Sequence, residues 1–181
     1  MFILLLGLLL WSGLHFWKRI APDNRARFGN TGKGIVAVGL VVSIVLMVVG
    51  YGAAAGGTVY WGRTPAMTGI NNLLMVLAFY LYASSAAKTG VTKWVRNPQL
   101  TAVKVWAIAH ILVNGDTRSF VLFGGLFAWA LAEVIVLNRV APPGPYHAVP
   151  IKKEITAVVA TVIAFALTAA VHIWLGVNPF G

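Results

Sequence analysis

Long apolar runs separated by short polar stretches dominate the chain, and six of them predict membrane-spanning helices. They cover residues 1–21, 35–55, 66–87, 98–113, 119–137 and 155–175. Residues 1–17 are apolar from the first position and end in Lys18-Arg19, the reverse of a signal peptide's order, which predicts an uncleaved first helix. Pro22-Asp23 mark its end. The second run is rich in Val and Gly, which are modest helix formers. In lipid, however, an unpaired backbone is too costly, so this run is expected to be helical regardless. Gly56-Gly57 break it, and residues 58–65 form a loop in which Tyr60, Trp61 and Arg63 make an interfacial anchor. Asn71-Asn72 lie near the start of the third run. Pro98 suits the first turn of the fourth, where its missing N–H costs nothing, and Asn114-Gly115-Asp116 supply the stop. The short 114–118 connection makes the fourth and fifth helices antiparallel neighbours. A proline-rich loop over 141–146 precedes the last run. No repeat divides the chain. The expected fold class is therefore all-α, one polytopic membrane helix bundle over residues 1–181.

Charge sharpens this picture. The chain is 59% hydrophobic and only 10% charged, against about 25% charged in a soluble domain, and its mean hydropathy is +0.83. The net charge of +10 would suggest nucleic acid in a soluble protein. Here the basic residues sit in short loops, where they set orientation and meet anionic headgroups, and no basic face is left for nucleic acid. The loops after the first, third and fifth spans carry 5, 3 and 3 Lys+Arg, and those after the second and fourth carry one each. The positive-inside rule then puts the odd-numbered loops in the cytoplasm and both termini outside.

Depth sorts the polar residues that fall inside the runs. Lys104 lies six residues past Pro98, and Glu133 six before Arg139 on the antiparallel neighbour, each ~9 Å from the cytoplasmic edge. Matched depth and opposite charge predict an intramembrane ion pair that fixes helix register; the alternative is a lysine snorkelling alone. The chain has no cysteine, which excludes disulfides, thiolate catalysis and cysteine metal sites. Four histidines remain as strong candidate metal ligands: His15, His110, His147 and His172. His15 belongs to the inner half. His110 lies ~18 Å from the inner edge, on one helix face with Trp106 and Asn114. His172 is close to the outer end of the last span, and His147 is a solvated loop residue. Alone, such a histidine is a hydrogen-bonded packing residue, but several in a bundle with little else polar point to a cofactor.

Several motifs then agree at once. The His15 helix followed by a basic loop, Arg96-x-Pro98-Gln99, Trp106-Ala-x-Ala-His110, and Asn114-Gly-Asp116 followed by Leu122-Phe-Gly-Gly together resemble the NnrU family. That family comprises bacterial membrane proteins linked to denitrification and nitric oxide metabolism, and it is similar to plant 15-cis-ζ-carotene isomerase. The resemblance implies the bacterial inner membrane, with both termini periplasmic. It also implies haem b in the bundle, a redox-linked role in nitrogen-oxide metabolism or an isomerisation, and an apolar substrate such as a carotenoid for the latter. By likeness the iron ligands are His15 and His110. The family commonly has Arg-His-Pro where this chain has Arg96-Asn97-Pro98. Depth favours another pair, since His15 and His110 differ by ~9 to 13 Å along the bilayer normal, whereas His110 and His172 are matched near the outside. Arg118, Arg63 or Lys104 would meet a propionate.

Two further function classes are open. Arg96-x-Pro in a small bundle resembles isoprenylcysteine carboxyl methyltransferase, an S-adenosylmethionine enzyme, although Asn97 replaces its histidine and no paired-glutamate segment closes the chain. A non-catalytic accessory subunit of a larger membrane complex needs no chemistry at all. No Gly-rich phosphate loop, Ser–His–Asp set or carboxylate dyad is present.

Overall fold

A computed structural model describes residues 1–54, 57–140 and 148–180. His147, Gly56 and the 141–146 loop lie outside the described residues. The described chain is helical throughout, apart from loops and one short strand pair. Its helices are α1 (Phe2–Ile20), α2 (Pro22–Arg27), α3 (Gly29–Ala53), α4 (Pro65–Ala87), α5 (Pro98–Val113), α6 (Thr117–Val140) and α7 (Ile151–Trp174). Five of them, α1, α3, α4, α6 and α7, are long and apolar enough to cross a bilayer. The sixth apolar helix, α5, has 16 residues, ~24 Å of rise against a hydrocarbon core of ~30 Å.

Local chemistry explains where the elements begin. Pro22 and Asp23 end α1, as expected, but they also open α2, because proline at the first position and an acid in the first turn suit a helix start. The basic loop is thus mostly helical, and α3 already starts at Gly29. Thr64 caps α4 by accepting the Met67 N–H at 3.2 Å. Asp116 does the same for α6, accepting the Ser119 N–H at 2.8 Å, so the motif that stops one helix also starts the next. The 58–65 loop holds β1 (Val59–Trp61), which pairs antiparallel with β2 (Gly115–Asp116). A Cβ at Gly115 would meet the Trp61 indole at 2.5 Å, so this approach demands glycine.

In space the long helices follow the order α3, α1, α6, α5, α4, α7. Small residues bring α1 and α3 together: Gly50 receives the backbone of Leu4, and a Cβ at Gly7 would lie 2.9 Å from the Met47 backbone. Leu4, Leu8, Met47, Leu126, Trp129 and Ala130 form the buried core where α1, α3 and α6 meet. By contrast α7 rests on α4 and buries only Ala157 and Thr161.

Contacts at the two ends define an up-and-down bundle. One end gathers the β1–β2 pair, the Trp61 indole N–H donated to Leu112 O at 3.0 Å, and the Arg63 guanidinium donated to Asn178 O at 2.7 Å. The other end has the Gly90 N–H donated to Glu154 at 2.6 Å and the Asn97 amide donated to Asn138 at 3.0 Å.

One expected contact is replaced by another. The buried Glu133 faces Arg19, with Nε and Oε1 3.5 Å apart, not Lys104. Depth matched Lys104 to Glu133, but rotation about the helix axes does not. Glu133 is one turn beyond Trp129, which packs on α1, so it faces α1 as well.

Candidate functional site

A cavity lies among α4, α5 and α7, with the start of α6 and the end of α3 completing its wall. Its volume is about 630 Å³, within the range of roughly 300–1,000 Å³ common for small-molecule and cofactor sites. Helical spacing puts its residues on single faces: Asn71, Met75, Ala78 and Tyr82 on α4, and Val103, Trp106, His110 and Val113 on α5. From α7 come Phe165, Thr168 and His172.

His110 and His172 therefore line one cavity from two helices. Each Nδ1 lies against the carbonyl one turn earlier, His110 with Trp106 O at 2.9 Å and His172 with Thr168 O at 2.8 Å. A carbonyl only accepts, so in each pair the ring nitrogen is the donor. The neutral ring then keeps its lone pair on Nε2, the tautomer a metal ligand or hydrogen-bond acceptor requires.

Around His110 the wall is aromatic. Its ring centroid lies 4.7 Å from that of Phe123 and 5.0 Å from that of Trp106. Phe123 belongs to a π turn over Phe120–Gly124 near the start of α6, a feature often found at functional sites. Tyr51 closes the wall from α3, its hydroxyl 2.8 Å from Ser119 Oγ. Asn71 donates its amide to Asn72 at 3.1 Å, while its buried Oδ1 has no hydrogen-bond partner among the described residues.

The other sequence-selected residues lie elsewhere. His15 does not line the cavity. Its ring sits against the indoles of Trp11 and Trp129, with centroids 4.4 and 4.6 Å away, and its Nδ1 donates to Trp11 O at 2.9 Å. Arg118 stands behind the wall, over the Tyr51 ring at 4.6 Å and 3.7 Å from Asp116. Lys104 is half-buried on α5 and outside the cavity, about 120° around the helix from His110 at 100° per residue. Among the described residues, Arg63 is the only formally charged one lining the cavity. Tyr51, Phe123 and the Asn71–Asn72 pair are among the wall residues that sequence reasoning did not assign. Two adjacent amides in an apolar run were the available signal, whereas Phe123 sits in an apolar stretch that hides the π turn.

With that geometry in place, the family can be stated. Residues 3–179 match the family model described as NnrU protein. The chain belongs to the NnrU family. No curated protein and no solved structure matches it. Its family membership and its apolar helices make this NnrU-family chain a multi-pass membrane protein.

Proposed function

We propose that this NnrU-family protein binds haem b in the cavity, through Nε2 of His110 and His172, and serves a redox-linked step in nitrogen-oxide metabolism at the bacterial inner membrane. The observation that carries the proposal is the pair of histidines, each with Nδ1 tied to its own helix, lining one largely apolar cavity. The donor set fits this group. No three His, Asp or Glu come together as a metal site among the described residues, so a bare ion would lack ligands, whereas a porphyrin brings most of its own. Haem bound there supplies a one-electron couple. The protein's share is to orient two imidazoles, to exclude water with Trp106, Phe123 and Phe165, and to lower the dielectric around the ring.

All six apolar helices cross the bilayer in this proposal, with α5 shortened by the polar loops that cover its outer end. Both termini are periplasmic, because eleven basic residues fall in the loops at one end and two in the loops at the other. Single cysteines introduced into this cysteine-free chain test the sidedness. In whole cells an impermeant maleimide should label Gly62→Cys and spare Asn30→Cys; the reverse pattern would invert the topology.

An oxidised and reduced absorption spectrum of the detergent-solubilised, haem-replete protein tests the cofactor. The expected result is a Soret band that His110→Ala and His172→Ala abolish and His15→Ala leaves in place. Loss with His15→Ala and not with His172→Ala would move the ligand to α1, as the family resemblance has it, and a colourless protein would end the proposal.

A further inference from the structure

Polarity inside the cavity is graded along the bundle axis. Near the end that holds both termini it is lined by Arg63, Asn71, Asn72, Asn114, Thr168 and His172. Towards the opposite end α4, α5 and α7 present Met75, Ala78, Phe79, Ala102, Val103 and Phe165, with Tyr82 the one polar side chain. Such a gradient orients an amphiphile: its apolar edge points inward and its polar groups point to the mouth.

Arg63 decides the sign of those polar groups. It comes from the loop before α4, sits exposed at the rim, and lends one N–H to Asn178 O at 2.7 Å. A guanidinium has five N–H donors, and no other hydrogen bond from Arg63 is formed among the described residues. Val177 and Pro179, on either side of Asn178, also line the cavity, so the C-terminal segment both holds this side chain and covers the mouth. Among the described residues, no acidic side chain lines the cavity to neutralise it.

We infer that Arg63 is the anchor for an acidic group on the cavity's ligand, and that it sets the ligand's orientation, acid groups towards the end that carries both termini. The inference rests on the haem proposal, in which the acidic groups are the propionates. It assigns this task to Arg63 and takes it from Arg118 and Lys104, neither of which reaches the cavity.

The test compares haem with its dimethyl ester, which has the same ring and iron but no carboxylates. Both are titrated by absorption into haem-depleted protein in detergent, for the wild type, Arg63→Gln and Arg63→Lys. Glutamine still has an N–H for Asn178, so the mouth keeps its hydrogen bond while the charge is lost. Because Arg63 is exposed, the expected preference is modest. The wild type should bind haem about fivefold more tightly than the ester, a ratio falling to about one in Arg63→Gln and partly retained in Arg63→Lys. High salt should shrink the wild-type ratio as well. Equal binding by the wild type, or a preference that survives Arg63→Gln, would overturn the anchor and leave the cofactor proposal standing. Failure of both porphyrins to bind the wild type would overturn the two together.

Discussion

Two histidines in this bundle have the same local hydrogen bond and opposite surroundings. On α1, His15 gives Nδ1 to Trp11 O and is clamped between two indoles, one turn from Arg19, which reaches the buried Glu133. On α5, His110 gives Nδ1 to Trp106 O, but its surroundings include a cavity that His172 shares. The tautomer follows from the i−4 carbonyl in both cases and so cannot distinguish them. The space around the ring does. The α1–α6 seam is packed as a core, whereas the α5–α7 face leaves room for a ligand.

Stability measurements separate the two regions most strongly. Trp129 is buried where α1 meets α6, and Trp129→Ala should cost roughly 3–5 kcal/mol, read as a lowered Tm in detergent. Next comes the ion pair. Arg19→Ala leaves Glu133 buried without its partner and should cost about 1–3 kcal/mol, most of it recovered when Glu133→Leu is added. Non-recovery in that double variant would show that the carboxylate has a further role at the seam. Gly115→Ala places a methyl group against the Trp61 ring and should cost about 1–3 kcal/mol by the same assay. The smallest stability effect belongs to the cavity: His172→Ala should change Tm by the equivalent of about 0.5 kcal/mol or less in the ligand-free protein. A large loss there would mean that His172 packs as part of the core, and the contrast between the regions would disappear.

The helical class and the approximate helix positions were readable from the chain because lipid leaves the backbone few options. Pro98 and Asn114 even mark the ends of α5 as the sequence suggests. Rotation about each axis was harder to read. Lys104 and Glu133 share a depth, yet Glu133 faces Arg19, since hydrophobic runs that are apolar on all sides carry little phase information. The β1–β2 pair was hidden for a different reason: Val59-Tyr60-Trp61 reads equally well as an interfacial anchor, and its partner is a dipeptide 54 to 57 residues away by the pairing register. Of the site, His110 and His172 stood out as polar residues in oil. Tyr51 and Phe123 did not, because an aromatic in a membrane helix is unremarked until a cavity lies beside it.

The place of α7, last in the chain and packed chiefly on α4, bears on how the protein matures. Translation runs from the N-terminus, so α1 to α6 are made before the helix that carries His172. Until that helix docks on α4, the groove beside His110 is open along one flank, because Phe165, Thr168 and His172 are missing from its wall. Docking then completes the chamber. A nascent chain halted before residue 151 would display the half-built groove, and the last helix would act as its closing plank.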